Sequence, residues 1–395
     1  MTSKDKKGFY DGVFGRYILP GVILQSVLIG GGYATGSEVV AYGGKFGAMG
    51  WLGGLGIFIG FTVLAILTFE LARLFKVYDY KLLVQQFIGK FYILYDVLYI
   101  LLAILIIAIM ASATGEIVKS TMGLPYWIGV TGVIIIVGIL NFYGGWLIER
   151  FETYGTIALY IGYIIFGILV LSSTWGNVQR VFMTSDVSYV SETSVSIGAV
   201  LWSGILYVGY NLAVYPATLF TLKRQTKRKE TICAAIIAGL LMTIPWFITY
   251  FSLMGFYPSK EIIGAPVPWL VMLQGMGRPW IIILFGIVVG WTLIETSTGM
   301  IHALVERINS GLKEMRKEIL TRKQNAILTV VVLITATFLS KIGIIDLVSK
   351  GYTIMAYGMI AVYALPLLTI GLYRIINPEW KKDFWNKTRK YENVE

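Results

Sequence analysis

Apolar runs of about 20 residues recur from residue 17 to residue 373, and no other feature limits the chain so strongly. Each is long enough to cross a hydrocarbon layer roughly 30 Å thick as a helix, and backbone in lipid must satisfy its own hydrogen bonds. Hydrophobic residues make up 56% of the 395 and charged ones 14%, with a mean hydropathy of +0.73. Soluble domains carry about a quarter charged residues, so a soluble globular enzyme is excluded. The fold class is an all-α polytopic membrane protein.

Ten transmembrane helices fit best, at 17–44, 50–75, 86–118, 125–141, 153–173, 196–221, 231–256, 279–304, 325–340 and 344–373. The expectation is a single transmembrane domain over 1–395, with a cytoplasmic N-terminus at 1–16, a first five-helix repeat at 17–173, a second at 196–373 and a basic cytoplasmic tail at 374–395. The first run follows Lys4, Lys6, Lys7 and Arg16 but lacks a small-residue cleavage site, and is expected to be retained as a helix.

The net charge of +11 does not point to nucleic acid, because the cations sort by side. Lys45, Lys119, Arg180, Lys260, Arg278, Lys341 and Lys350 fall on one side, and the other 26 of the 33 Lys and Arg on the other. The positive-inside rule then places both termini in the cytoplasm of a cell-membrane protein, with the tail against anionic lipid. Cys233, the single cysteine, allows no intramolecular disulfide and no thiolate metal cluster. Two loops on the opposite side are long. The stretch 174–195 reads as a polar loop, and 257–278, with three prolines, as a short helix dipping over an entrance.

The first span contains LIGGGYATGSE, with Gly30, Gly31, Gly32 and Gly36 beside Thr35, Ser37 and Glu38. Consecutive glycines cost a helix roughly 1 kcal/mol each relative to alanine, so this segment should unwind. Unwound backbone at membrane depth is tolerated where it lines a cavity or is buried in protein, which makes it a binding site or a close helix contact. The sixth span carries YVGYNLAVYP from Tyr207 to Pro216, where proline removes a backbone bond and frees carbonyls. Spans 1 and 6 enter from opposite sides and each opens a set of five. Such paired interruptions mark a secondary transporter of inverted repeats with a substrate site near the midplane.

The motifs GGGYATGSEVVAYGGKFGAMGW, YVGYNLAVYPA and ETSTGMIHALVER carry a resemblance that covers nearly the whole chain. It resembles the amino acid, polyamine and organocation (APC) superfamily with the 5+5 inverted repeat of the leucine-transporter (LeuT) fold, and more narrowly the YkvI group of prokaryotic membrane proteins. The resemblance implies alternating access, with spans 1, 2, 6 and 7 rocking against spans 3, 4, 8 and 9. It also nominates Thr296 and Ser297 of span 8, with carbonyls near Ile29 and Gly32, as a sodium site. The alternative for both hydroxyls is a bond back to their own helix.

Glu295 lies in the same intramembrane stretch and is a candidate proton acceptor or partner for a cationic substrate. Glu38 opens a half-helix, where it caps the amides or binds an ammonium or coupling proton. The amides from Gly31 to Gly36 would hold an amino acid carboxylate, with Tyr207 and Asn211 adding polar contacts from across the site. Glu70 with Arg73, and Glu116 with Lys119, are spaced for local pairing. Asp96 fits a hydrogen bond to a tyrosine hydroxyl, the alternative being a place lining the cytoplasmic exit, and the lone His302 a packed or hydrogen-bonded residue, the alternative being a proton relay. No phosphate-binding loop is present, and no cofactor beyond a sodium ion is called for. The expected function is therefore a secondary active symporter, not an enzyme, moving a small amine-containing solute such as an amino acid. A nutrient sensor of the same fold is the alternative; a channel is disfavoured.

Overall fold

The computed structural model describes residues 12–143, 145–190 and 195–386. Lys4, Lys6, Lys7, Lys387, Arg389 and Lys390, and loop residues 191–194, lie outside the described residues.

Among the described residues ten helical spans are laid down in chain order, eight of them long and apolar enough to cross a membrane and two, Phe14–Leu28 and Tyr126–Phe142, shorter. Span 1 is Phe14–Leu28 continued by two short pieces, Gly31–Thr35 and Ser37–Tyr42. Spans 2 to 5 are Gly50–Phe75, Tyr92–Met122, Tyr126–Tyr143 and Gly145–Met183. Span 6 is α-helical over Ile197–Asn211 and tightens to 3-10 geometry over Leu212–Arg224 around Pro216. Spans 7 to 10 are Arg228–Met254, Pro279–Glu314, Arg322–Ser340 and Ile344–Ile376. The two interrupted helices are thus the first of each five, and they run in opposite directions. Bare glycine and proline are the physical cause, since each withdraws support from the helix interior where packing would otherwise carry it.

The most extensive helix contacts join span 2 to span 7, span 1 to span 7, and span 2 to span 6. At the face where most cations gather, here called the basic face, Glu70 of span 2 accepts from Arg73 at 2.7 Å and from Thr231 of span 7 at 2.8 Å. Arg16 of span 1 pairs with Glu230 of span 7 at 3.1 Å. Spans 1, 2 and 7 are therefore tied together at their ends.

Asp96 meets a tyrosine hydroxyl, that of Tyr80, and an arginine besides. It faces Arg307 of span 8 at 3.4 Å, and that guanidinium lies between the rings of Tyr80 and Tyr99 at 3.8 and 3.7 Å. His302 is exposed, not packed.

Span 5 is longer than hydropathy suggests. The stretch 174–183 continues the helix, with Val178 and Val181 buried. Polar Asn177 ends the apolar window but not the helix, because its amide reaches the carbonyls of Met254, Gly255 and Tyr257 at 3.1 to 3.2 Å. Arg180 adds bonds to Tyr257 O at 2.9 Å and to Asp186 at 3.0 Å. Burial raises the Asp186 carboxyl, but the Ser188 hydroxyl and amide and Arg180 outweigh it and hold it below its ordinary value. The stretch 257–278 folds into two short helices, Lys260–Ile263 and Pro268–Gln274.

Candidate functional site

The first helix stops at Leu28. Ile29 (φ −75°, ψ 76°) and the extended Gly30 (φ −90°, ψ −172°) turn the chain, and the Gly30 amide donates to Leu28 O at 2.8 Å. After Gly31–Thr35 the chain turns again at Gly36, whose φ of 87° suits a residue without Cβ. Thr35 and Ser37 both donate their hydroxyls to Gly32 O, at 3.0 and 3.1 Å. Local side chains thus satisfy backbone that the break exposed.

Glu38 lies in the first turn of the half-helix Ser37–Tyr42, and its side chain folds back over the break. The carboxylate packs on Gly32 and faces the Tyr33 amide; a Cβ on residue 32 would stand 2.3 Å from Oε1. Any other residue at 32 would push the carboxylate out. One of the amides expected to receive a substrate carboxylate, that of Tyr33, is therefore addressed by the protein's own acid. Tyr210 of span 6 donates to Glu38 Oε2 at 2.6 Å. Five buried tyrosines complete the surround: Tyr33, Tyr42, Tyr207, Tyr210 and Tyr352. Tyr207 stands 6.4, 5.6 and 5.6 Å (centroid to centroid) from Tyr33, Tyr42 and Tyr210, and Tyr352 stacks on Tyr210 at 4.2 Å. The Tyr207 hydroxyl is buried and directed at the same carboxylate. Among the described residues no Lys or Arg pairs with Glu38, which is 3% exposed.

Asn211 is buried, but its amide nitrogen is turned to Tyr207 O at 2.9 Å, steadying the helix where it changes geometry. Span 8 brings its hydroxyls to the other side of the break. Ser297 and Thr298 bond back to Leu293 O and Ile294 O at 2.8 and 2.7 Å. Thr296 lies against Gly30: a Cβ there would be 3.3 Å from its methyl and 3.9 Å from its Oγ1. Gly30, Thr296 and the Ile29 turn therefore meet, whereas the Gly32 carbonyl is already engaged by two hydroxyls. Glu295 is buried on the same helix.

Two layers cover the break on the face opposite the basic one. Trp269, from the helix Pro268–Gln274, donates Nε1 to Thr249 of span 7 at 3.2 Å and packs against Tyr163 of span 5 at 5.7 Å. Tyr163 donates to Tyr33 O at 2.9 Å. Beside them, a cavity of about 180 Å³ lined by Tyr42, Lys45, Ser203, Ser349 and Thr353 leads towards the cage. On the basic face, Gln225 donates to Arg16 O at 2.7 Å and Thr218 to Pro20 O at 3.0 Å. Glu38 and the five tyrosines are buried in this conformation, each 3% exposed or less.

Sequence reasoning missed Tyr33, Tyr42, Tyr210, Tyr352 and Gln25. Tyrosines are common in this chain, and nothing in their spacing says that five converge. Gln25, fully buried one turn before the break with both polar side-chain atoms unpartnered, had a findable signal: an amide in an apolar run beside glycines.

No protein-family model matches the chain, and no curated protein matches it. Solved structures do. The chain is similar to a Na+-coupled sialic acid symporter in a substrate-bound outward-open state, at 17% identity and a TM-score of 0.54, covering 92% of this chain and 87% of that one. It is similar to Mhp1, a nucleobase-cation-symport-1 family transporter, closed with bromovinylhydantoin bound, at 16% identity and a TM-score of 0.58, covering 94% and 92%. For inward-facing Mhp1 the values are 16%, 0.57, 88% and 76%. The fold is the ten-span leucine-transporter type with helices 1 and 6 broken.

Proposed function

We propose that this chain is a secondary active transporter that works by alternating access and couples a small amine-containing solute to a sodium or proton gradient. The observation that carries the reading is Glu38, a buried carboxylate surrounded by tyrosines at the junction of the two broken helices. A buried charge is tolerated when paired, and a carboxylate among aromatic faces suits an ammonium group or a proton. Thr296 and Ser297, with the Ile29 carbonyl, are the groups that would hold a sodium ion, since hard oxygen donors suit an alkali cation. Glu295 on the same helix is the second acid for coupling. Tyr207, directed at the same carboxylate, is the cage residue that would share it with the substrate.

The basic face is proposed to be cytoplasmic, from the distribution of Lys and Arg, and the membrane to be the cell membrane. Membership of the APC superfamily and its YkvI group is proposed on the span 1, 6 and 8 motifs. A symporter whose substrate ammonium meets Glu38 has no second cation in the cage for a carboxylate, so amines and amino acids are to be screened side by side.

The test is thermal-shift screening of the purified protein with amino acids and amines, in sodium or potassium and at two pH values, followed by uptake into liposomes. A sodium-dependent hit that accumulates against its gradient supports Thr296 and Ser297. A hit sensitive to pH and indifferent to sodium moves coupling to Glu38 or Glu295. Binding without uptake under either gradient overturns transport in favour of a sensor.

A further inference from the structure

Span 10 widens to π geometry over Ile360–Ala364 and again over Leu367–Gly371, on either side of Pro366. Such bulges occur preferentially at functional sites. Beside this stretch run the end of the helix Tyr80–Ile88 and the start of span 3. A groove of about 710 Å³ remains between Phe87, Phe91 and Leu94 on one wall and Leu365 and Pro366 on the other, with Trp385 of the short helix Lys382–Asn386 at its head. At 1.5 Å per residue, its span 10 wall lies about 9 to 22 Å from the helix end at Ile376, in the half of the 33-residue span nearer the basic face. Phe91, Leu94 and Leu365 are 69%, 52% and 54% exposed, as side chains facing lipid are. The polar side chains of the lining, apart from the Trp385 indole nitrogen, are Lys90 and Thr369, and Thr369 donates its hydroxyl to Leu365 O at 2.7 Å.

The head of this groove holds donors without acceptors. Arg374 is fully buried and gives Nη1 to the carbonyl and Oε1 of Gln86 at 2.8 and 2.7 Å, while its Nε and Nη2 bond nothing. Trp385 Nε1 is buried and unpartnered too, and its ring lies 4.9 Å from the Arg374 guanidinium carbon. Lys90 is exposed beside them. The acids of this corner are Glu379, bound by Lys382 at 3.0 Å, and Asp383, exposed on the short helix. Among the described residues no carboxylate pairs with Arg374 or Lys90. A buried guanidinium is costly until an anion completes it.

We propose that the groove holds one acyl chain of an anionic phospholipid drawn from the leaflet at the basic face. Its phosphate is taken by the exposed Lys90, with the buried Arg374 charge and the Trp385 ring behind it. Basic pockets between spans bind anionic head groups in this way. The proposal needs the membrane-spanning fold but not the transport reading.

The test uses the full chain, delipidated in detergent and titrated with phosphatidylglycerol, with phosphatidylcholine of the same chains, or with glycerol 3-phosphate. Thermal midpoint and native mass spectrometry are the readouts. Phosphatidylglycerol is expected to raise the midpoint saturably and to leave a single adduct, and the other two to do neither. Lys90→Gln, at an exposed position, should weaken that binding about fivefold. Leu365→Trp, which fills the groove from a lipid-facing position, should remove the adduct. Equal stabilisation by phosphatidylcholine, an equal effect of glycerol 3-phosphate, or undiminished binding by both variants overturns the proposal.

Discussion

Glu38 meets phenols and a backbone amide where a buried carboxylate would ordinarily meet a cation, and that imbalance is the sharpest chemical statement the site makes. Removing its charge should uncouple ligand from protein without disturbing the shape of the site. Losing one partner of a buried charge pair costs about 3–5 kcal/mol, so Glu38→Gln is expected to weaken amine binding at least about a hundredfold by calorimetry or thermal shift. Unchanged affinity would remove Glu38 from the site. Tyr210→Phe deletes the 2.6 Å bond to the same carboxylate, worth about 1.5–3 kcal/mol, and should weaken binding about ten- to a hundredfold. Asp186 offers a separate residue-scale test away from the membrane. Its folded carboxyl is held below the ordinary value near 3.9, so the stability it contributes is complete above that pH and is lost as pH falls through the folded value. Asp186→Asn should therefore lower the melting midpoint at pH 7, and the difference from the native chain should shrink towards pH 3. A deficit that stays constant with pH would show that charge is not what Asp186 contributes.

Among the elements, the broken first helix was legible because three adjacent glycines have no other economical use. What could not be read was how the break is filled. Gly32 gives up its side chain so that Glu38 can fold over it, and Gly36 takes a left-handed turn beneath Trp269, whose Cδ1 would stand 3.1 Å from an added Cβ. The left-handed conformation costs an L-residue roughly 1–2 kcal/mol, so Gly36→Ala should lower the thermal midpoint. Gly198→Ala, where the nearest atom is 3.5 Å away on an exposed helical turn, should be neutral or stabilising. Equal effects of the two substitutions would mean that the turn carries no strain. Span 5 shows the opposite limit of sequence reading. Hydropathy measures transfer into lipid, and Asn177 is polar for the sake of three carbonyls in the turn after span 7, so the helix outlasts its apolar window.

Across the whole molecule, Arg16–Glu230 and Glu70–Thr231 tie spans 1, 2 and 7 together, and Arg307–Asp96 joins span 8 to span 3. Trp269 closes the break on the face opposite the basic one. In a Cys233→Ser background, Thr249→Cys should react slowly with an impermeant thiol reagent applied to that face, and rapidly once Trp269→Ala is added. Equal rates would show that Trp269 is not the cover. Reaction only from the cytoplasmic side of the membrane would reverse the proposed orientation.

The order of apolar runs, the glycines and the proline by themselves determined ten spans, two of them broken, in two sets of opposite direction. Lipid leaves the backbone so few alternatives that hydropathy and helix breakers suffice. The tertiary structure alone decided which side chains share the interior. Tyr33, Tyr42, Tyr207, Tyr210 and Tyr352 come from three spans separated by more than a hundred residues, and each looks like any interfacial tyrosine in sequence. Thr296 faces the break while Ser297 and Thr298 turn back to their own helix, a difference of one helical step that only packing fixes. Periodicity records which face of a helix avoids lipid, but not which neighbour it meets there.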